Sequence, residues 1–372
     1  MNEPFGNLER LNTFLADSDF DVVVAVSPEN VPYTSGVFIW SQRGIRDRLA
    51  LTVWPKSGKP TLIVCNIEEP QTREETFIKD LRSYEEFRTS PIELLADVVK
   101  EKGLAKGHIG IEMRYLSAHY WEQLRSLLPQ ATFDECDDLF AQVRMIKTER
   151  EIEVLTQAAR GTERALLATC ATIHKGETEK SMAQRLADNI LLTGAGKVEF
   201  LYINAGPNTG YPHCDAASYQ CRVGDIIKAD CGGLYAGFTS DVARTAVIGR
   251  ASNEQQSIYN RLVDVHQECL ATARVGNRAS DIFEVMKKGH ERVKLPFPLP
   301  HAGHSTGLTA HEPPILNPFD HTVLQPNMML YIETRVRWPG REGYHIEDLV
   351  LLTNDGPKIM TGAFNTSILF EI

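Results

Sequence analysis

Two glutamates fourteen residues apart sit inside apolar strand patterns on either side of a Pro-Gly pair: residues 331–348 read YIETRVRWPGREGYHIED. The flanking segments MMLYIETRV and YHIEDLVLL both have the pattern of strands, and Pro339-Gly340 is a turn signal, so the stretch predicts an antiparallel hairpin. Position 340 is midway between Glu333 and Glu347, which sets the two carboxylates beside each other. Directly opposed like charges destabilise a strand pair unless something positive lies between them. Taken alone, the pair fits two solvent-facing glutamates on a sheet as well as it fits a site.

A second hairpin raises the same question. GDIIKADCGGLYAGFTSDVARTAVIG, residues 224–249, puts Asp230 and Asp241 on two strand patterns joined by a glycine-rich turn. An aspartate buried in mid-strand is uncommon. A turn-flanking role fits Asp230 better than Asp241. Between the hairpins, PHAGHSTGLTAHEPPIL carries His301, His304 and His311 in a Gly- and Pro-rich segment, where a single histidine is ordinarily a surface residue. Four carboxylates with a histidine cluster change that balance. Hard oxygen donors with one imidazole suit Mn²⁺, Co²⁺, Fe²⁺ or Zn²⁺, and bridging carboxylates can hold two such ions about 3.5 to 4 Å apart. A two-metal site would relieve the like-charge problem in both hairpins at once.

The rest of the chain bounds the setting. At 372 residues, 42% hydrophobic and 24% charged, it has the composition of a globular protein of about two domains. A formal net charge of -10 gives no general attraction to nucleic acid or an anionic membrane surface. No apolar run approaches the roughly 20 residues that span a bilayer, and MNEPFGNLERL lacks the regions of a signal peptide, so a cytoplasmic location is expected. Seven scattered cysteines without a CxxC pair argue against a disulfide framework or a thiolate metal site.

Strand patterns at DVVVAVSP, LALTVWP and PTLIVCN alternate with helical ones at 91–103 and 118–128, which predicts an α/β domain over residues 1–143. Thr148 and Glu151 form a capping-box pattern opening a helix through 149–174. Further helices are expected at 178–193, 253–274 and 279–291, around a strand-rich section at 197–249 and before a strand-rich end. Residues 144–372 therefore read as an α+β unit with a mixed antiparallel sheet and helices on one face.

On these residues the chain resembles the pita-bread metallohydrolases, the family of prolidase, aminopeptidase P, methionine aminopeptidase and the metal-free creatinase. The family's ligand order Asp, Asp, His, Glu, Glu falls on Asp230 in IKADCGG, Asp241 in TSDVART, His304 in GHSTGL, Glu333 in YIET and Glu347 in HIED. The gaps of 11, 63, 29 and 14 residues are similar to those of the prolidase and aminopeptidase P branch. SPENVPYTSG and VRMIKTEREIEVLTQAA resemble that family's N-terminal and linker segments, so the likeness spans nearly the whole chain.

The resemblance implies a small creatinase-type α/β domain followed by a pita-bread catalytic domain, and commonly a homodimer. It implies that Asp230 chelates one metal ion, that Asp241 and Glu347 bridge two, and that His304 and Glu333 complete the second, with manganese foremost. A water activated by the ions would attack the amide bond of an Xaa-Pro dipeptide or similar small peptide, with Glu333 shuttling its proton. His213 in GPNTGYPHCDA and His311 in HEPP match pocket histidines that bind the substrate carbonyl or carboxylate, and His301 is expected to be a loop residue.

Two positions depart from the pattern. The family commonly has I-E-P-G where Thr334 follows Glu333, and R-I-E-D where His345 precedes Ile346. An arginine missing at 345 removes a fixed positive charge near the metals and puts a titratable, substrate-facing group there. The alternative is a non-peptide enzyme of the same fold, acting on a small amide or compatible solute in the manner of an ectoine-type hydrolase, a creatinase or a dimethylsulfoniopropionate lyase. A non-catalytic binding protein is the third reading, and the intact ligand set speaks against it.

Overall fold

The computed structural model describes residues 5–297 and 299–372. The backbone separates into two compact units, one ending at Arg144 and the other running Met145–Ile372.

The first unit is built on a six-stranded sheet of β1 (Val22–Ala25), β2 (Leu51–Pro55), β3 (Thr61–Cys65), β4 (Asp80–Tyr84), β5 (His108–Ile111) and β6 (Thr132–Glu135), in the order β4-β3-β2-β1-β5-β6. The central pairs β1–β2 and β2–β3 are antiparallel and the outer ones parallel. The three apolar runs of the sequence are β1 to β3, buried throughout; β4 and β6 are partly exposed and polar (DLRSY, TFDE), which hides them from a hydrophobicity pattern. Helices α1 (Leu8–Asp17), α2 (Asn30–Ser35), α3 (Trp40–Gly44), α4 (Glu69–Glu75), α5 (Pro91–Glu101), α6 (Ala118–Leu127) and α7 (Asp137–Met145) accompany the sheet. Ile92, Leu95 and Val99 of α5 bury against Val22, Val24, Val53 and Ile63.

The second unit opens with α8 (Glu149–Cys170), capped as its sequence predicts: Thr148 Oγ1 accepts from the Glu151 amide at 3.2 Å, and Glu151 Oε2 accepts from the Thr148 amide at 2.8 Å. It continues through α9 (Glu179–Leu192), β7 (Lys197–Ala205), β8 (Ile226–Tyr235), β9 (Phe238–Thr239), β10 (Val242–Val247), α10 (Asn253–Thr272) and α11 (Ala279–Val293). It ends with β11 (Gly303–Ser305), β12 (Glu312–Ile315), β13 (Met329–Trp338), β14 (Glu342–Thr353), β15 (Gly356–Ile359) and β16 (Phe370–Glu371). The expectation of one mixed sheet is corrected here. The strands form two five-stranded sheets, β16-β10-β8-β7 with β9 on β8, and β12-β11-β13-β14-β15. Each hairpin of the sequence is the centre of its own sheet, a division that strand patterns alone do not encode.

Buried side chains of β10 stitch the sheets together. Arg244 donates to the Glu347 carbonyl, to Asp348 at 2.9 Å and to Glu163 at 2.5 Å, while Thr245 Oγ1 exchanges hydrogen bonds with the backbone N–H and C=O of His345. On the outer face of β13–β14, Leu330, Ile332 and Val350 pack on Val265, Ile282 and Met286 of α10 and α11. Alternation along the strands leaves Glu333 and Glu347 on the inner face.

Candidate metal centre

The long hairpin has the register its turn dictates. Glu333 and Glu347 are direct cross-strand partners, and a bond from the Arg341 amide to the Trp338 carbonyl closes the turn, with Gly340 at φ +73°. Asp230 lies within β8, as expected. Asp241 does not lie within a strand: β9 ends at Thr239 and β10 begins at Val242, so Asp241 sits in a two-residue break. Ser240 ties that break to Gly233, and Tyr331 OH accepts from the Asp241 amide at 3.0 Å, turning the carboxylate inward.

Oxygen atoms of Asp230, Asp241 and Glu347 come within 4.8 Å of one another, and Asp241 makes a second such group with nitrogens of His304 and His311. His304 is fixed by its neighbours. Gly303, at φ +143°, lies so close to the Tyr331 carbonyl that a Cβ would stand 2.0 Å from the oxygen. Nδ1 of His304 faces the Ser305 carbonyl at 3.0 Å and so must carry the proton, leaving the Nε2 lone pair 3.7 Å from Asp241 and 3.8 Å from Glu333. The His304 and His311 rings stack with centroids 3.7 Å apart.

Burial, then mutual repulsion, raises the carboxyls of Asp241 and Glu347 well above the usual range; burial also raises Asp230, against the pull of Lys228 and Arg335. Burial lowers His304 and His345 well below the usual imidazole value, and lowers His301 and His311 to about 4. Glu347 Oε2 is buried with no hydrogen-bond partner among the described residues. Three crowded carboxylates, one orphaned oxygen and a neutral imidazole are a donor set that fits divalent cations.

A cavity of about 460 Å³ opens over this cluster. Asp230, Asp241, His304 and Glu333 line it, as do His213, His311 and His345, so these seven residues share one pocket. His213 is exposed, its ring 5.0 Å from that of Tyr202. His301 is more than a loop residue: half-buried, it puts Nδ1 3.0 Å from Glu333 Oε1. His345 Nε2 is 3.2 Å from Glu333 Oε2 and its Nδ1 3.6 Å from Asp230.

Sequence reasoning missed the cations. Arg335, the direct cross-strand partner of His345, is buried and ion-paired with Glu333, and its Nη2 is 3.2 Å from His301 Nε2. The guanidinium expected to be missing at 345 is therefore present on the facing strand. Arg337 and Lys228 line the same cavity, along with Phe200, Tyr202 and Tyr344. Two-residue steps from Glu333 along β13 were the available signal. Thr334 faces the other way, where its Oγ1 meets His266 Nδ1 at 3.0 Å, so that departure does not touch the pocket.

Comparison with known proteins agrees with this geometry. Residues 153–354 match metallopeptidase family M24, and residues 7–146 match the creatinase/prolidase N-terminal domain. The chain belongs to metallopeptidase family M24, metallohydrolases of the pita-bread fold. It is 28% identical over 356 residues to the Xaa-Pro dipeptidase of Pyrococcus furiosus, covering 95% of this chain and 97% of that one. The structure of prolidase from Pyrococcus furiosus superposes with a TM-score of 0.83 at 26% identity, covering 95% of this chain and all of the other. At 12% identity and a TM-score of 0.78, the N-terminal domain of the FACT complex subunit SPT16 from chickpea shares the fold alone. Among the described residues no helix is long and apolar enough to cross a membrane.

Proposed function

We infer that this chain hydrolyses the amide bond of Xaa-Pro dipeptides or similar small peptides at a centre of two divalent metal ions. The observation that carries this reading is the convergence of Asp230, Asp241 and Glu347 within 4.8 Å beneath a pocket also lined by His304 and Glu333. Asp230 would hold one ion, Asp241 and Glu347 would bridge both, and His304 with Glu333 would complete the second. When bound, the ions supply Lewis acidity toward the scissile carbonyl and the attacking water.

The chain's own residues do the remaining work. Glu333 takes a proton from the attacking water and returns it to the leaving amine, and its position between His301, His345 and Arg335 orients the carboxylate for that transfer. His304, neutral and protonated at Nδ1, presents Nε2 inward. His213 and His311, both lining the cavity, hydrogen-bond the substrate carbonyl or carboxylate and the oxyanion that develops from it. The aromatic wall of Phe200, Tyr202 and Tyr344 shields the reacting bond from bulk water.

One observation favours a second reading within the same chemistry. Arg335 projects a buried guanidinium at a position where a glycine is usual for the family, narrowing the pocket next to Glu333. A compact non-peptide amide would fit such a space. Gly-Pro and Ala-Pro hydrolysis with added Mn²⁺, assayed beside a panel of compatible-solute amides, decides between them. Release of proline is expected; no cleavage of any proline peptide under any divalent metal would discard the dipeptidase reading.

A further inference from the structure

His213 lines the cavity from an exposed loop, and little holds the ring itself: Tyr202 is 5.0 Å away between centroids, and among the described residues the ring makes no hydrogen bond. The backbone beneath it therefore decides where it points. That backbone, residues 206–216, follows β7 and is fastened at several places. Lys228 of β8 donates to the carbonyls of Tyr211 and Pro212, and Asn204 Nδ2 donates to the Cys214 carbonyl at 2.9 Å, so the residues on either side of His213 are tied down. Thr209 Oγ1 accepts from the Gly343 amide at 2.9 Å, which joins the same loop to β14. Both feet of the loop meet on one residue. Glu179, in the first turn of α9, is fully buried; its Oε1 accepts from the Ala205 amide at 2.7 Å and its Oε2 from the Ala217 amide at 2.8 Å. Asn208 Nδ2 bridges the two oxygens at 3.1 and 3.2 Å. The amides of Glu179 and Lys180 donate in turn to the carbonyls of Tyr219 and Ala217, each at 3.2 Å, so the exit of the loop satisfies the open N-terminus of α9.

Withdrawing a carboxylate from water is costly unless its oxygens find donors, and here each of them finds two. Every group that faces Glu179 on this side is an N–H, and only a carboxylate accepts at both oxygens. A glutamine of the same shape would turn its own NH2 toward one of the two feet and lose it. We propose that Glu179 is the positioning residue for His213, one buried carboxylate clamping both feet of the loop that holds the imidazole over the scissile carbonyl. The proposal rests on the hydrolase reading above and deepens it. The work of the ring explains why so firm a fastening is needed. A donor to a developing oxyanion acts only when held in place, and a displacement of about 1 Å can cost on the order of 100-fold in rate. Hydrogen bonds to an ionised acceptor are the stronger kind, and here they close the loop at its base, where a small movement would be magnified at His213.

Kinetics and amide exchange on the full chain test this together. In Glu179→Gln, kcat/KM for Ala-Pro with added Mn²⁺ should fall about 10- to 100-fold. If Glu179 acts through His213, the same change made in a His213→Ala background costs less than about twofold of the residual activity, whereas a general weakening of the fold lowers both backgrounds alike. Asn208→Ala takes one partner from Glu179 and keeps the carboxylate; it should show the same pattern at smaller amplitude, and it serves if the glutamine variant does not fold. Equal losses in the two backgrounds overturn the assignment, as does unchanged activity in Glu179→Gln. Hydrogen exchange reads the clamp without turnover. The amides of 206–216 should exchange at least about 10-fold faster in Glu179→Gln, with those of β8 and β14 as in the wild type. That result in an enzyme that cleaves no peptide would retain the clamp on His213 and discard the dipeptidase reading. Unchanged exchange of the loop would overturn the clamp itself.

Discussion

Arg335 of β13 and His345 of β14 are direct cross-strand partners, and both reach the carboxylate of Glu333, the arginine as an ion pair and the imidazole at 3.2 Å. The two positions of the hairpin that depart from the family pattern on the pocket face therefore lie opposite each other. One fixed cation serves the pair, and here β13 carries it. Arg335→Gly should leave Glu333 unneutralised beside the other acids and depress kcat/KM, and adding His345→Arg should recover much of the loss. A cycle of wild type, both single variants and the double variant measures this; a coupling of about 1 to 3 kcal/mol is expected for residues in contact. Strictly additive effects would mean that the two positions act separately.

Burial raises the carboxyls of Asp241 and Glu347 well above the usual range, and charged neighbours add to it, Glu347 and Asp230 acting on Asp241 and Asp230 on Glu347. If both bridge two metal ions, Asp241→Ala or Glu347→Ala removes ligands from two sites at once. Activity should fall at least about 100-fold in each, and metal analysis after Mn²⁺ loading should give fewer than two ions per chain. More than a few per cent of residual activity in either variant would contradict the bridging roles.

Some of this was legible in the sequence and some was not, for physical reasons. Pro339-Gly340 fixes the turn of the long hairpin, and a fixed turn fixes the register, so the Glu333–Glu347 pairing could be read from spacing alone. Asp241 could be found but not placed, because the break that holds it depends on Ser240 and Tyr331, the latter 90 residues away. The division into two sheets depends on contacts between Arg244, Thr245 and β14 about a hundred residues on, which no local pattern announces. Arg335 and Arg337 were overlooked because charged residues on a strand suggest solvent; what buries them is the second sheet across the cavity.

Thr334 lies on the outer face of β13, away from the pocket, where His266 of α10 links it to Asp348 of β14: Nδ1 to the threonine hydroxyl and Nε2 to the aspartate, each at 3.0 Å. All three residues are buried. Thr334→Val keeps the shape and removes one partner, leaving a ring nitrogen unsatisfied. A loss of about 1 to 3 kcal/mol in urea unfolding is expected, with kcat/KM within about twofold of the wild type. A large change in KM would mean that this position informs the pocket after all.

Glu151, in the first turn of α8, is 2% exposed. Burial raises its carboxyl from 4.5 to about 7, although Lys147 and the bonds from Thr148 work against the rise. A carboxyl whose folded value lies above its unfolded one binds its proton more tightly in the folded chain. Its contribution to stability is full below about pH 4.5 and is lost as the pH rises through about 7. Glu151→Gln cannot titrate yet still offers an oxygen to the Thr148 amide, so the helix cap is kept. The unfolding free energy of the wild type, measured in urea at intervals across this range, should therefore fall relative to that of the glutamine variant between about pH 4.5 and 7 and run parallel to it above. Curves that stay parallel throughout would show that Glu151 keeps an ordinary carboxylate pKa in the folded chain, the Lys147 ammonium and the bonds from Thr148 fully offsetting burial.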